Sequence, residues 1–271
     1  MRVVRVLILL IVGLMWSCSP HDELEIPSNP LDPDNPVYTT PNATIIGGPG
    51  EGEVIVATSA TFTWQGNETA IEYSYMHDNA DWSDWSQHYS TTLDYLDEGV
   101  HTFEVKARSI NGVVQQIPHA LGFTVDAISG PAAIVYPYLQ KANPGDTLVY
   151  QIIAEEVSDL FAVEVNISID DEYLELIDVI DGELLGEWGG EVLRIQEVSG
   201  SNVSLSVVAV EGESNSFAGT TSLISFRIRA KQTVNMSIVT DVVELIKIVY
   251  LNSELDRIEI ASVRPGVIVV K

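Results

Sequence analysis

Phe161-Ala162-Val163-Glu164-Val165-Asn166-Ile167-Ser168-Ile169-Asp170 decides the fold. Apolar residues recur at every second position, and small or polar ones fill the gaps between them. A period of two sends one set of side chains to a core and the other to water, which is the signature of a half-buried strand. The inward set is Phe161, Val163, Val165, Ile167 and Ile169; the outward set is Ala162, Glu164, Asn166 and Ser168. Residues 202–210 repeat the pattern, with Val203, Leu205, Val207 and Ala209 inward and Ser204, Ser206, Val208 and Val210 outward. Side by side, two such rows make a shallow platform with few bulky obstacles.

The same texture extends in both directions. Short runs rich in Val and Ile occupy 132–136, 147–153, 160–169, 174–180, 192–196, 202–210, 220–229, 235–239, 243–250, 257–261 and 266–270. Such residues suit the pleated surfaces of a sandwich. Segment 241–250 also puts Val242, Leu245, Ile246 and Val249 on one helical face, but its β-branched content favours a strand. Upstream, runs at 53–57, 60–64, 71–76, 91–95, 100–108 and 121–125 are separated by turn signals such as Gly66-Asn67, Asp97-Glu98-Gly99 and Asn111-Gly112. They predict a small antiparallel sandwich. Within 102–108, Phe103, Val105 and Ala107 face its core, and Glu104, Lys106 and Arg108 face water. The expected fold class is all-β, two β-sandwich domains in tandem at 44–127 and 131–271, with a short boundary around Ser129-Gly130-Pro131.

The chain opens with Arg2 and Arg5, an apolar run over 6–12, and then Leu14, Met15, Trp16, Ser17 and Cys18. Residues 1–17 read as a secretory signal. The run is too short to cross a hydrocarbon core of roughly 30 Å as a helix. Cys18 is the only cysteine, so no internal disulfide forms, and it stands where the signal is cut. Residues 18–43 are acidic and broken by Pro20, Pro27, Pro30, Pro33, Pro36 and Pro41, as expected of a flexible tether. The first eighteen residues resemble a bacterial lipoprotein signal. That resemblance implies lipidation at Cys18 and a lipid-anchored place in the bacterial cell envelope, on the outer membrane facing the exterior. The alternative is an ordinary signal peptide with an incidental cysteine.

Composition excludes several functions. The 271 residues carry 13 Lys and Arg against 39 Asp and Glu, a formal charge of −26. Such a chain repels phosphates, whose binding rests on basic side chains displacing counterions, so no nucleic-acid partner is expected. The sequence holds no Gly-x-Ser-x-Gly elbow, no His-Glu-x-x-His pair and no phosphate-cradling glycine loop before a lysine. The five histidines lack ligand spacing, and Asp170, Asp171 and Glu172 read as a turn in preference to calcium ligands. No catalytic residue, metal or cofactor is therefore expected, and the protein reads as a binding protein and not an enzyme.

Two resemblances add to this reading. Segments 71–75, 82–85 and 96–105 resemble bacterial Ig-like or fibronectin-III-like surface modules. In the second half, several features fall in the order found in the cohesin domain, the receptor module of cellulosome-type assemblies. They are the opening turn Asn143-Pro144-Gly145-Asp146, the strand 161–170 ending in an Asp turn, Tyr173-Leu174-Glu175-Leu176, and Asp181-Gly182-Glu183-Leu184-Leu185. Gly219 ahead of Leu223-Ile224-Ser225-Phe226-Arg227-Ile228 and the closing Pro265-Gly266-Val267-Ile268-Val269 complete the order.

The cohesin resemblance implies a jelly-roll sandwich that docks dockerin-containing proteins through the dockerin, a small helical module that itself binds calcium, in polysaccharide degradation or surface assembly. The partner-binding residues would be Ala162, Glu164, Asn166, Ser168, Ser204, Ser206, Val208 and Glu211, with Glu213 extending a charged rim. Other readings stay open. The two rows may be read as a solvated sheet face, and the molecule as an adhesion spacer without a specific ligand. Alternatively it is a carbohydrate-binding surface lipoprotein, with Trp82, Trp85 and Trp188 stacking on the sugar rings of a polysaccharide. The aromatics Trp82, Trp85, Tyr73 and Tyr75 equally suit a role in filling the core and bracing a hairpin, and Trp188, between Gly186 and Gly189-Gly190, equally suits closing one end of the sandwich.

Overall fold

The computed structural model describes residues 38–188, 191–211, 216–231 and 238–270, together with Asn29, Asp32, Asp34 and Asn35. Cys18, the signal and most of the tether lie outside these residues. The first sandwich consists of β1 (Ala43–Gly47), β2 (Glu53–Ile55), β3 (Ser59–Gly66), β4 (Glu72–His77), β5 (Ser90–Asp94), β6 (Gly99–Arg108) and β7 (His119–Val125). Its two sheets have the orders β1-β3-β5 and β2-β7-β6-β4. Between them the Phe62 ring stacks on Phe103 at 3.9 Å, and Phe123 tilts against Phe62 at 5.5 Å. The expected alternation of β6 holds, since Phe103, Val105 and Ala107 are fully buried. Burying side chains of the larger kind contributes roughly 1.5–3 kcal/mol each.

The second sandwich begins with β8 (Ala132–Tyr136), β9 (Leu139–Ala142), β10 (Thr147–Leu160), β11 (Ala162–Ile169) and β12 (Leu174–Asp181). A single helical turn, α1 (Leu184–Glu187), precedes β13 (Glu191–Ser199), β14 (Asn202–Glu211), β15 (Phe217–Ala230), β16 (Ile238–Leu251), β17 (Arg257–Ile258), β18 (Ser262–Arg264) and β19 (Gly266–Val270). One sheet has the order β12-β15-β10-β8-β18; the other runs β13-β14-β11-β16-β19-β9, with β17 beside β16. The fold is thus all-β and built from paired sheets, and segment 241–250 is strand. Val163, Val165, Ile167 and Ile169 of β11 meet Val203, Leu205, Val207 and Ala209 of β14 in one core with Ile152, Phe226 and Tyr250.

Two glycines carry the local geometry. Gly145 adopts φ 96° in the turn before β10, where the Asp146 N–H donates to the Asn143 carbonyl at 3.0 Å. Its lack of Cβ makes that left-handed conformation cheap. Gly182 packs so tightly that a Cβ would sit 2.2 Å from the Ser222 carbonyl oxygen.

Three strands escape the sequence pattern. β1 is half exposed, so its alternation is blurred. β9 and β18 are short and pair in parallel with β19 and β8, so partners distant in sequence decide their conformation. β10 also continues beyond residue 153 to Leu160, past Glu156 and Asp159 at φ 48° and 55° and through several register shifts, which break the period of two. Residues 39–42, read as tether, lie against the first sandwich: Thr69 Oγ1 donates to the Thr39 carbonyl at 2.9 Å and Asn67 Nδ2 to the Thr40 carbonyl at 2.8 Å.

Candidate docking face

Strand register converts the outward side chains of β13, β14, β11 and β16 into ordered rows. Ala162 lies opposite Val208 on one side and Leu251 on the other, and Val208 in turn opposite Leu193. The first row therefore reads Leu193, Val208, Ala162, Leu251. The next reads Ile195, Ser206, Glu164, Val249, and the third Glu197, Ser204, Asn166, Lys247. A fourth contains Ser199, Asn202, Ser168 and Glu244. Polarity rises from the first row to the fourth. The face thus has an apolar end and a polar, hydrogen-bonding end.

The apolar end is concave. Ala162, Glu164, Leu193, Ile195, Val208 and Leu251 line a depression of about 290 Å³, together with neighbouring residues of the same strands. Leu193 and Ile195 are more than half exposed, because β13 is an edge strand with one neighbour. Exposed apolar side chains gathered around a depression mark a surface that gains by being covered. At the polar end, Ser204 Oγ donates to Asn166 Oδ1 at 2.7 Å, and Lys247 Nζ reaches both carboxylate oxygens of Glu164 at 2.7 Å.

Asn166, Ser168, Ser204, Ser206 and Val208 are half-buried and outward, as the alternation predicts. Ala162 departs from expectation. It belongs to the outward row but is only 5% exposed, since its methyl is the floor of the depression between larger neighbours. Glu164, expected as an outward residue of this face, is ion-paired with Lys247. Glu211 ends β14 opposite Glu191, with its side chain outside the described atoms, and Glu213 lies outside the described residues. Sequence reading missed Leu193, Ile195, Lys247, Val249 and Leu251. The run 192–196 carried a signal, since its alternation placed Leu193 and Ile195 opposite Val192 and Arg194; only the register of four strands places them beside Ala162.

The sugar-stacking set is corrected. Of the two places open to Trp188, an exposed loop and the end of the sandwich, it takes the second: it is 3% exposed in the core, and its indole N–H donates to the Leu160 carbonyl at 3.2 Å. A large apolar ring next to α1 fills the end of the sandwich, and the carbonyl satisfies its one polar atom. Trp82 and Trp85 are half-buried outside the core. Lys106 Nζ stands 3.6 Å from the centroid of Trp82 and 5.6 Å from that of Trp85, and the Arg108 guanidinium stands 4.6 Å from Trp85. The outward cations of β6 thus alternate with the two indoles in a cation–π stack, which occupies faces a sugar would need. Partial burial lowers the Lys106 pKa, with Glu104 opposing. Tyr73 is buried in the core, and Tyr75 packs against it.

Spacing offered no metal ligands, yet pairing of β4 with β6 brings His77, Asp78 and His101 together. No other group of this kind occurs among the described residues. Asp170 Oδ1 accepts the Glu172 N–H at 2.9 Å, in keeping with a turn.

No protein-family model and no curated protein matches the chain. Similar solved structures include a non-cellulosomal cohesin from the hyperthermophilic archaeon Archaeoglobus fulgidus, at 17% identity over 52% of this chain and 90% of that one, with a TM-score of 0.42. The sixth cohesin of scaffoldin B from Acetivibrio cellulolyticus, solved in complex with a Cel5 dockerin, gives 14% identity, 53% and 100% coverage and a TM-score of 0.43. The type II cohesin A11 from Bacteroides cellulosolvens gives 13% identity, 52% and 99% coverage and a TM-score of 0.43.

Proposed function

We propose that the protein is a lipid-anchored, non-catalytic receptor of the bacterial cell envelope, displayed on the outer membrane, whose second sandwich captures dockerin-bearing proteins on the β13-β14-β11-β16 face. One observation carries this reading: four registered rows grade from an apolar depression at Leu193, Ala162 and Leu251 to a polar end at Asn166 and Ser204. A helix laid on such a face buries apolar side chains at one end and finds hydrogen-bonding groups at the other. Interfaces of this kind join a hydrophobic centre to a polar rim. The ordered cohesin-like features of 143–269 support the identity of the partner. Lipidation at Cys18 supplies the anchor, residues 18–38 the spacer, and the Ig-like module lifts the receptor away from the membrane.

The direct test is capture of purified dockerin modules from the same genome by the immobilised full chain, with calcium present. Retention of at least one module, abolished by a bulky residue at Ser206, supports the receptor. Failure of every module to bind overturns it. No observation favours the carbohydrate reading, which loses Trp188 to the core and finds Trp82 and Trp85 already stacked against cations.

A further inference from the structure

The β4 and β6 strands end in an arrangement that the docking face does not use. His101 is 6% exposed, and both of its ring nitrogens face oxygen. Nε2 lies 2.8 Å from the Asp97 carbonyl, and Nδ1 lies 2.6 Å from Asp78 Oδ2. A carbonyl only accepts, so Nε2 carries a hydrogen and donates it. Nδ1 and Asp78 Oδ2 stand at hydrogen-bond distance, closer than the ~3.3 Å that separates two donors bound about 2.0–2.1 Å from one tetrahedral zinc. A proton fits that spacing as it stands, and a metal ion fits once the Asp78 carboxylate swings outward by a few tenths of an ångström.

His77 decides between them. Its Nε2 stands 3.0 Å from the same Asp78 Oδ2, is buried, and has no hydrogen-bond partner. A proton shared by His101 and Asp78 leaves this second nitrogen unsatisfied. A single cation satisfies all three atoms, which lie within 4.8 Å of one another. The supporting contacts are those a ligand set needs. The Asp97 carbonyl fixes the tautomer of His101, and Asp78 Oδ1 accepts the Thr102 N–H at 2.8 Å. Outer hydrogen bonds of this sort orient metal-bound imidazole and carboxylate. Asp78 itself is held at φ 48° in the turn after β4.

We infer that His77 Nε2, Asp78 Oδ2 and His101 Nδ1 form a site for a divalent transition metal, with zinc as its best-suited occupant. Two imidazoles and one carboxylate match zinc's preference for nitrogen and oxygen donors in a four-coordinate shell, and they leave one position open. Calcium and magnesium, which favour all-oxygen shells, fit poorly. His77, Asp78 and His101 all line a cleft of about 710 Å³ between the two sandwiches, together with Tyr75, Asp81, Tyr95 and Lys141 among others. Water or a carboxylate from a bound molecule would complete the shell there.

The test uses the full chain, stripped with chelator and dialysed against zinc chloride, with bound metal measured by mass spectrometry and affinity by calorimetry. One zinc per chain is expected, undisplaced by excess calcium or magnesium. His77→Ala removes a ligand but leaves the His101–Asp78–Thr102 contacts intact, so it folds, as circular dichroism would check. It and Asp78→Asn should each weaken zinc binding by about tenfold or more. No zinc uptake by the wild-type chain overturns the site, as does zinc bound with unchanged affinity by a folded His77→Ala protein, which would place the metal on other histidines.

Discussion

Arg264 of β18 and Asp97 of the β5–β6 turn meet across the junction of the two sandwiches. The guanidinium is 5% exposed, and its Nη2 lies 3.4 Å from Asp97 Oδ1, while Nη1 lies 3.6 Å from Glu98 Oε1. Asp97 Oδ1 also accepts the Tyr138 N–H at 2.6 Å, and the Arg264 guanidinium stands 4.4 Å from the centroid of the Tyr138 ring. One turn of the first sandwich therefore grips both the β8–β9 connection and β18 of the second.

Removing the cation leaves two carboxylates in a desolvated seam. Arg264→Met is expected to destabilise the protein by about 3 kcal/mol, because an uncompensated buried charge costs more than the pair itself contributes. Adding Asp97→Asn and Glu98→Gln to that variant should restore most of the loss. Urea unfolding of the single and triple variants measures both values. A single variant as stable as the wild type would show that the seam does not hold the sandwiches together.

The same carboxylates predict a pH dependence. Burial, the largest influence, raises the pKa of Asp97 and of Glu98, with the Tyr138 N–H and Arg264 opposing for Asp97 and the Ala127 N–H and Arg264 for Glu98. A carboxyl whose pKa is higher in the folded state binds its proton more tightly there. Its stabilisation is complete below the unfolded value of about 4 and is lost as pH rises through the folded value. Stability measured from about pH 4 upward should fall less in Asp97→Asn/Glu98→Gln than in the wild type. Parallel profiles would remove these two groups as the source.

On the docking face, Leu193→Asp should weaken capture of a dockerin module by about 1–2 kcal/mol, roughly tenfold, as expected for an anchor beside a depression. The Glu164–Lys247 pair is exposed and worth about 0–1 kcal/mol to folding. Glu164→Lys should therefore leave the melting temperature nearly unchanged and lower affinity. Combining it with Lys247→Glu restores the pair in reverse. Affinity that ignores Leu193→Asp would move the interface elsewhere.

Trp188→Ala should cost roughly 3–5 kcal/mol, the range for truncating a buried aromatic. Trp188→Phe keeps most of the volume and gives up the bond to the Leu160 carbonyl, at about 1 kcal/mol. Titration of the wild type with soluble xylan or glucan should leave tryptophan fluorescence unchanged. A saturable change would restore the carbohydrate reading through Trp82 or Trp85.

Alternation along single strands was enough to place Val163, Val165, Ile167, Ile169, Val203, Leu205, Val207 and Ala209 in the core, because a strand's side-chain period is local and survives whatever lies beside it. It also placed Asn166, Ser168, Ser204 and Ser206 outward. Trp188 stayed open between two readings for the opposite reason: glycines beside an aromatic signal a loop, but whether the ring turns in or out depends on a void that distant strands create.

The sequence by itself determined the all-β class, the inward and outward sets of its strongest strands, and the turn at Asn143-Pro144-Gly145-Asp146. Each follows from backbone preferences and side-chain patterns within a few neighbouring residues. Tertiary structure alone decided that Leu193, Ala162 and Leu251 share a row, that Lys247 cancels Glu164, that Lys106 fills the space between two indoles, and that His77 and His101 converge on Asp78. Those are relations between strands separated by tens of residues, and hydrogen-bond register, which no single segment contains, sets them.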